Sequence, residues 1–317
     1  LVGSEMCIRD SSAFRLVAAD GVTCTGRKCQ YFSQCPLFRA REEVLTADVV
    51  VANHDLVLAI QLSGGSILPP LEESIVIFDE AHHLPEKSRN RQAMNLSIRS
   101  EAATLTRTKQ ILQRLASVQG LPSAPIKKIE KQIGEIDSGI ESTLQGLNQS
   151  VLSLDLDAGR EEQMYRFPFG VVDTALAELM DDLGSCYALK TSGLTGLEKL
   201  IDENRELVND DYRSQLEALS ASLNQLRAAT ESAEIFCNDY ATSHREVKSD
   251  DNKRTSGEPP AARWLDQDEQ GVVFHSVPLS AAKSLRDTLW DVCFASILTS
   301  ATLAALGSFS SFIEKVG

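Results

Sequence analysis

Residues 75–82 read IVIFDEAH, and this stretch decides the fold. Its four apolar residues predict a buried strand, and two acids follow that strand directly. Nucleotide hydrolysis needs one carboxylate at such a strand end to hold Mg²⁺, and a second to orient the attacking water. We therefore assign Asp79 to the metal, Glu80 to the water and His82 to sensing the γ-phosphate. An acidic helix N-terminus is the alternative explanation of this pattern.

A second polar motif follows an apolar strand signal near the end of the sequence. The predicted strand at Ile297–Thr299 leads into Ser300, Ala301 and Thr302, and the polar motif runs from Thr299 to Thr302. Ligands bind at the carboxyl ends of strands in open parallel sheets, so these small residues are placed to hydrogen-bond the acidic pair and relay its state. Taken alone, Ser and Thr at a strand-to-helix turn are ordinary helix caps. The pairing of DEAH with SAT is what favours a nucleotide site.

Three cysteines are crowded into twelve residues upstream of the first motif. Cys24, Cys29 and Cys35 are separated by four and five residues, which does not fit the CxxC knuckle of most zinc sites. The spacing therefore favours an iron–sulphur cluster over zinc, with a redox pair or a chance grouping as alternatives. A fourth ligand is required, and the candidates near these cysteines are Cys7 and His54.

The composition indicates a soluble globular protein with an acidic balance. Of 317 residues, 43% are apolar and 24% charged, with 31 Lys and Arg against 45 Asp and Glu, a net charge of −14. No apolar run approaches the roughly 18 residues of a membrane span, and no signal peptide is evident, so we expect neither a membrane nor a secreted protein. One segment, from Arg9 to Arg41, is locally basic and suits phosphates. The DNA-proximal candidates in it are Arg27, Lys28, Arg39 and Arg41.

The order of predicted elements indicates an α/β domain with an inserted helical one. The apolar run at 48–53 (DVVVAN) predicts a first buried strand, ahead of the strand at 75–78. From about residue 87 to 249 strand signals vanish and helical periodicity takes over. The apolar spacing from Ile126 to Val151 predicts one amphipathic helix whose stripe serves core packing. After a polar linker, strands return at 272–275 and 297–299.

Two further segments leave alternatives open. Asn53 and His54 close the first predicted strand and are either a polar cap or residues near DNA or the cluster. The segment Tyr165–Phe169 (YRFPF) is favoured as an apolar loop anchor over a contact with a DNA strand.

The three motifs, in this order, resemble the XPD/DinG group of iron–sulphur superfamily 2 helicases, and its DinG branch most closely. The resemblance is carried by CTGRKCQYFSQCPLFRAREE, ADVVVANHDLVLA, IVIFDEAHHLPE, GVVFHSVPLS and LTSATLAALGSFSSF. It implies an α/β fold class: an incomplete RecA-like parallel-sheet motor domain, an iron–sulphur loop domain and an all-helical arch insertion. By the same resemblance, Cys24, Cys29 and Cys35 match three ligands of a 4Fe–4S cluster whose fourth ligand lies upstream of residue 1, rather than at Cys7. Asp79 would hold Mg²⁺.

The resemblance also sets the expected domain boundaries. They are a possibly non-native leader at 1–11, a partial iron–sulphur domain at 12–43, the first part of motor domain 1 at 44–86, a helical arch at 87–249, a linker at 250–260 and the last part of motor domain 1 at 261–317.

The implied function is ATP-dependent translocation along single-stranded DNA and unwinding of duplexes, with 5′→3′ polarity, in DNA repair or replication. Expected partners are ATP and single-stranded or forked DNA, with RNA–DNA hybrids as further candidates, for a cytoplasmic, nucleoid-associated bacterial monomer without a membrane. The sequence contains no G-x-x-x-x-G-K-[ST] loop and no second motor domain, so we expect an internal fragment that is inactive alone. The rival is a non-motor, metal-stabilised nucleic-acid-binding or redox-sensing module in which DEAH and SAT are incidental.

Overall fold

The computed structural model describes residues 24, 26–29, 31–63, 67–154, 163–243, 261–269, 271–304 and 307–317. The predicted leader, the predicted linker and Cys7 lie outside the described residues. The chain divides into two compact units. The first contains the described part of Leu1–Phe32 with Ala102–Ser142 and Ser185–Glu234, and the second contains Ser33–Glu101, Thr143–Gly184 and Ile235–Gly317.

Helices account for most of the described residues, and short strands interrupt them. The helices are α1 (Pro36–Thr46), α2 (His54–Ser63), α3 (Leu84–Gln92), α4 (Ile98–Ala116), α5 (Ser123–Val151), α6 (Thr174–Asn204), α7 (Asp210–Ser243), α8 (Ala282–Leu285) and α9 (Ser310–Val316). The strands are β1 (Ile75–Phe78), β2 (Met94–Ser97), β3 (Gln163–Arg166), β4 (Ala261–Asp268), β5 (Gly271–Pro278) and β6 (Ala295–Leu298).

A parallel pair of strands, β1 and β6, forms the sheet that carries both polar motifs. Ile75 lies opposite Ala295, and Phe78 opposite Leu298. Phe78 is 2% exposed in a core with residues of α2, α3, α8 and α9. The expectation of a fully buried strand is nevertheless wrong for Ile75 and Ile77, which are 59% and 64% exposed. Successive side chains of a strand face opposite sides of the sheet, and the side of Val76 and Phe78 packs on this core while Ile75 and Ile77 lie on the other side.

The predicted strand at 48–53 is absent from this part of the described chain. Residues 47–53 carry no regular structure, and Val49 and Val51 are 80% and 94% exposed. The prediction rested on apolarity alone, whereas a strand also requires a neighbour to accept its backbone hydrogen bonds. No described strand pairs with this segment.

A four-stranded antiparallel sheet of order β2-β5-β4-β3 lies in the second unit. Because β2 and β3 fall between residues 87 and 249, the expectation of an all-helical insertion is wrong. Both strands are four residues long and pair with the longer β5 and β4, so pairing, not local pattern, defines them. The strand predicted at 272–275 exists as part of β5, but it joins this antiparallel sheet and not the parallel one.

One face of the antiparallel sheet packs against α7. Leu265, Phe274 and Tyr240 are fully buried there. The Tyr240 hydroxyl donates to the carbonyl oxygens of His275 at 2.6 Å and Trp264 at 3.0 Å. Its one proton is therefore shared between an acceptor on β5 and an acceptor on β4. Burial raises the pKa of Tyr240 far above its ordinary value, so this hydroxyl stays protonated.

Long helices form the first unit, and their apolar stripes make its core. The helix predicted between Ile126 and Val151 is α5, and Ile126, Ile133, Ile140 and Val151 are all 0% exposed. The predicted core stripe is therefore confirmed. In the first unit this stripe packs against leucines of α4, α6 and α7. Within the described ranges, every helix is too short or too polar to cross a membrane.

Candidate functional site

The two polar motifs meet where β1 and β6 end. The Thr299 amide donates to the Phe78 carbonyl at 2.8 Å, which continues the parallel pairing by one residue. The Ala81 amide donates to the Thr299 carbonyl at 2.9 Å, so the chain after β1 is tied to the chain after β6. The acids predicted at one strand end and the hydroxyls predicted at the other are therefore neighbours.

Asp79 is exposed and held through one carboxylate oxygen. Its Oδ1 accepts the Thr299 hydroxyl at 2.9 Å and the Glu80 amide at 2.9 Å. Among the described residues, no hydrogen bond reaches Oδ2, which is left for solvent or a ligand. Thr299 opens the predicted polar motif, although the coupling role is predicted only for Ser300, Ala301 and Thr302. Only the register of β1 and β6 shows that its hydroxyl reaches Asp79.

Glu80 adopts a backbone conformation that is unusual for its residue type. Its φ is 48° and its ψ is 44°, in the left-handed region. Such a residue costs on the order of 1–3 kcal/mol and persists where surrounding contacts hold it. Here the Ala81–Thr299 hydrogen bond follows Glu80 directly. The conformation turns the chain from β1 into the short helix Ala81–His83.

The Glu80 carboxylate forms a triangle with Ser300 and His82. Its Oε2 accepts the Ser300 hydroxyl at 3.0 Å and lies 3.2 Å from Nδ1 of His82. The same Nδ1 lies 2.7 Å from the Ser300 hydroxyl oxygen. A serine hydroxyl has one proton, so when Ser300 donates to Glu80 the His82 nitrogen must carry a proton to donate to Ser300. A change at any of the three groups thus alters the other two.

Two predicted coupling residues do not touch the acids. Thr302 reaches only Ser300, through its amide at 3.3 Å and its hydroxyl at 3.4 Å. Ala301 is exposed and has no polar side-chain atom. The structure thus brings together Asp79, Glu80, His82 and Ser300, with Thr302 one contact away.

Asn53 and His54 lie at the start of α2. The Asn53 side-chain oxygen accepts the Leu56 amide at 2.7 Å, which is the contact of a helix cap. The His54 ring meets Phe78, the last residue of β1, edge-on at 5.6 Å between centroids. Next to His54, Asp55 pairs with Lys87 of α3, and this hydrogen-bonded cation lowers the pKa of Asp55.

The four basic candidates lie on short helices around the cysteines. Arg27 and Lys28 are in the turn Gly26–Lys28, and Arg27 is exposed. Arg39 and Arg41 lie on α1; Arg39 is exposed, while the Arg41 guanidinium stacks over the Phe38 ring at 5.3 Å.

The predicted cluster ligands have suitable donor atoms. Cys24, Cys29 and Cys35 are free thiols, each half-buried, and thiolates are the ligands of iron–sulphur clusters. Within the described residues, however, no group of three or more His, Cys, Asp or Glu side chains is assembled to hold a metal ion. The donor chemistry fits a cluster, whereas the described geometry does not bring these donors together.

Comparison with known proteins identifies the sequence as similar to one group of helicases. The DEAD_2 family model matches residues 15–101, a range that includes DEAH. A protein named ATP-dependent DNA helicase DinG from Photobacterium profundum is 30% identical over 308 residues, covering 95% of this chain and 42% of that relative. The protein of the same name from Escherichia coli (strain K12) is 27% identical over 316 residues, or 97% of this chain and 42% of the relative. The resemblance to DinG is thus confirmed along nearly the whole chain, which spans less than half the length of these relatives.

Proposed function

We propose that this DinG-like chain is part of an ATP-dependent DNA helicase, which translocates along single-stranded DNA and unwinds duplexes. The observation that carries the proposal is the joining of the two motifs at the ends of β1 and β6. The paired carboxylates there are directly hydrogen-bonded to Thr299 and Ser300. Acids at the carboxyl end of parallel strands lie where ligands bind in sheets of this type.

The two acids have different roles in hydrolysis: Asp79 holds the metal and Glu80 activates the water. Mg²⁺, when bound with ATP, neutralises charge on the phosphates. Asp79 suits the metal because one of its oxygens is fixed by two donors and the other has no described partner. Glu80 suits the attacking water because the Ser300 hydroxyl holds its Oε2 at 3.0 Å and so orients the carboxylate. In this role Glu80 orients the water and receives its proton.

The Glu80–Ser300–His82 triangle couples hydrolysis to movement. Protonation of Glu80 would weaken its attraction for the His82 imidazole and change the direction in which the Ser300 hydroxyl donates. Ser300 belongs to the strand end after β6, and His82 to the short helix before α3. A change in the nucleotide site therefore has a hydrogen-bonded route into two separate segments of the second unit.

The test uses the full reading frame that contains this chain, because the 317 residues include no glycine-rich phosphate loop. ATP hydrolysis is measured with and without single-stranded DNA, alongside unwinding of duplexes with 5′ or 3′ overhangs. We expect DNA-stimulated hydrolysis and unwinding from the 5′ overhang. Glu80→Gln should lower kcat by at least about 100-fold, because general-base catalysis is typically worth that much. The control is Glu73→Gln, which changes an exposed acid just before β1.

Absence of hydrolysis in the unmodified full-length protein would contradict the proposal. That outcome, combined with tight DNA binding, would favour the rival non-motor module. If Glu80→Gln kept full activity, the assignment of the base would be wrong even for an active helicase.

We extend the proposal to a 4Fe–4S cluster held by Cys24, Cys29, Cys35 and a fourth ligand outside this sequence. Its support is the chemistry of three closely spaced thiols and the likeness to iron–sulphur helicases. A brown protein with absorbance at about 400 nm, containing roughly four irons and four sulphides per chain, is the expected result. A colourless anaerobic preparation that contains zinc would contradict it.

We also propose a role for the helicase in DNA repair or replication.

A further inference from the structure

The turn between β3 and α6 carries two phenylalanines with opposite exposure. Phe167 is 5% exposed, and its ring meets those of Tyr165 and Tyr240 edge-on, at 5.2 and 6.0 Å between centroids. Phe169, two residues later, is 99% exposed. The prediction of an apolar loop anchor thus describes Phe167 and is wrong for Phe169.

A buried guanidinium ties this turn to α7. Arg263 is 7% exposed and donates to both carboxylate oxygens of Asp239 at 2.8 Å, and to the Gly170 carbonyl at 2.9 Å. Gly170 has a φ of +72°, and a Cβ there would lie 2.0 Å from the Ala261 carbonyl oxygen. Only glycine fits this position, so the backbone that presents Phe169 is tightly defined.

Packing does not explain the phenylalanine at position 169. Its φ of 56° and ψ of 17° lie in the left-handed region, which glycine and asparagine adopt more readily. A ring that stays in water gains no hydrophobic stabilisation from folding. In the described part of the chain, the other non-glycine residue with a positive φ is Glu80, in the acidic motif. Strained residues of this kind cluster at functional sites.

The geometry points to Phe169 as a stacking platform for a base of single-stranded DNA, with Arg166 contacting an adjacent phosphate. Aromatic side chains bind bases of any sequence by stacking, and they act together with nearby cations. Arg166 is the exposed last residue of β3, three positions earlier and so within about 11 Å along the chain. Its Nε contacts Met164 Sδ at 3.4 Å, and no described carboxylate pairs with it. The choice of DNA as the ligand rests on the proposed function; the display of the ring does not.

The experiment measures binding of a single-stranded oligothymidylate with one 2-aminopurine, using the full-length protein. Phe169→Ala should weaken binding roughly 5- to 150-fold, the loss expected for one stacked base. It should also abolish the quenching of 2-aminopurine at one position of the strand. Phe169→Trp should retain both. Arg166→Ala should reduce the slope of log affinity against log salt by about 0.7, whereas Phe169→Ala should leave that slope unchanged.

Two controls separate stacking from folding. Leu152→Ala removes another apolar side chain of the second unit, 70% exposed, and should leave affinity and quenching unchanged. Phe169→Asn relieves the backbone strain and should melt no lower than the unmodified protein, while binding DNA as weakly as Phe169→Ala.

The outcomes distinguish this inference from the proposed function. Unchanged affinity and quenching in Phe169→Ala would overturn the inference while leaving ATP-driven unwinding intact. A lower melting temperature in Phe169→Asn with unchanged DNA affinity would also overturn it, and would show that another part of the protein covers the ring. Phe169-dependent DNA binding without ATP hydrolysis would support the inference and contradict the proposed function. If the unmodified protein bound no DNA, both would fail.

Discussion

Thr299 contacts the end of β1 and the acidic motif through three different atoms. Its amide donates to Phe78, its carbonyl accepts from Ala81, and its hydroxyl donates to Asp79 Oδ1 at 2.9 Å. Every residue except proline can make the two backbone contacts, so the hydroxyl can be tested alone. Its effect is to fix one oxygen of Asp79, which orients the other.

Thr299→Val should therefore lower the apparent affinity of the site for Mg²⁺ while leaving the fold intact. A hydrogen bond to a charged group contributes about 1.5–3 kcal/mol, so we expect a roughly 10- to 150-fold rise in the Mg²⁺ concentration that gives half-maximal ATP hydrolysis. Thr299→Ser keeps the hydroxyl and should restore the normal value. Ser296→Ala, at an exposed position on β6, is the matched control. A normal magnesium titration for Thr299→Val would refute this positioning role.

At the residue scale, sequence order was enough to select Asp79, Glu80, His82 and Ser300 as neighbours. Each follows an apolar strand signal, and parallel strands bring their carboxyl ends to one edge. That Thr299 contacts Asp79 while Ser300 contacts Glu80, and that the Glu80 backbone is left-handed, could not be predicted in this way. Both depend on the register of β1 and β6, which pair across more than 200 residues of chain.

At the scale of elements, a buried ion pair links three helices of the first unit. Lys190 of α6 is 1% exposed, lies 2.7 Å from Asp137 Oδ1 of α5, and donates to the Thr108 hydroxyl of α4 at 3.1 Å. A lysine this deeply buried is costly without a partner. The pair therefore links these helices, and removal of one partner alone should show as lost stability.

Lys190→Met should lower the free energy of unfolding by about 3–5 kcal/mol, because it leaves the Asp137 carboxylate buried and unpaired. The double variant Asp137→Leu, Lys190→Met should recover most of this loss, since neither charge remains. Lys199→Met breaks an exposed pair with Glu203 at 3.9 Å and should cost no more than about 0.5 kcal/mol. Urea denaturation of the four proteins measures these values. Equal stability of the double and single variants would contradict the explanation.

The same pair predicts a pH dependence of stability. Burial raises the pKa of Asp137 above 3.8, and Lys190 opposes that rise only in part. The folded state then binds the Asp137 proton more tightly than the unfolded state does. The contribution of Asp137 to the free energy of unfolding therefore falls as the pH rises from about 4 through the raised pKa. Asp137→Asn cannot ionise and should lack this component. The check is the free energy of unfolding of the unmodified protein minus that of Asp137→Asn, which should fall with pH. A difference that rises with pH would mean that Lys190 lowers the pKa.

Elements whose apolar residues repeat with a clear helical period could be predicted from the sequence. Strands that depend on pairing with a distant strand could not. The apolar spacing in α5 predicts a helix with a buried stripe, and Ile133 and Leu147 are 0% exposed. The run at 48–53 has no such period, and an apolar composition does not supply a neighbouring strand. Conversely, β2 and β3 carry weak local signals and exist through the hydrogen bonds of β5 and β4.

At the scale of the whole molecule, charge restricts where a DNA strand can bind. These 317 residues carry a net charge of −14, which repels a polyanion, so under the proposed function a DNA strand would bind them through local basic surfaces. Arg27 and Arg39 are exposed representatives of the basic segment around the cysteines. Each phosphate that they would neutralise under the proposed function would release counterions from the strand, and this release would appear in the salt dependence of binding.

The double variant Arg27→Ala, Arg39→Ala should therefore reduce the slope of log affinity against log salt by about 0.7 for each arginine that contacts a phosphate. Affinity should fall most at low salt, where unscreened attraction is strongest, and little at high salt. Arg213→Ala removes an exposed arginine that pairs with Asp210 at 3.1 Å, outside the basic segment, and should leave the slope unchanged. Titration of oligothymidylate binding to the full-length protein at several salt concentrations gives both slopes. If the double variant kept the original slope, the strand would have to bind through other cations, and the basic segment would need a different explanation.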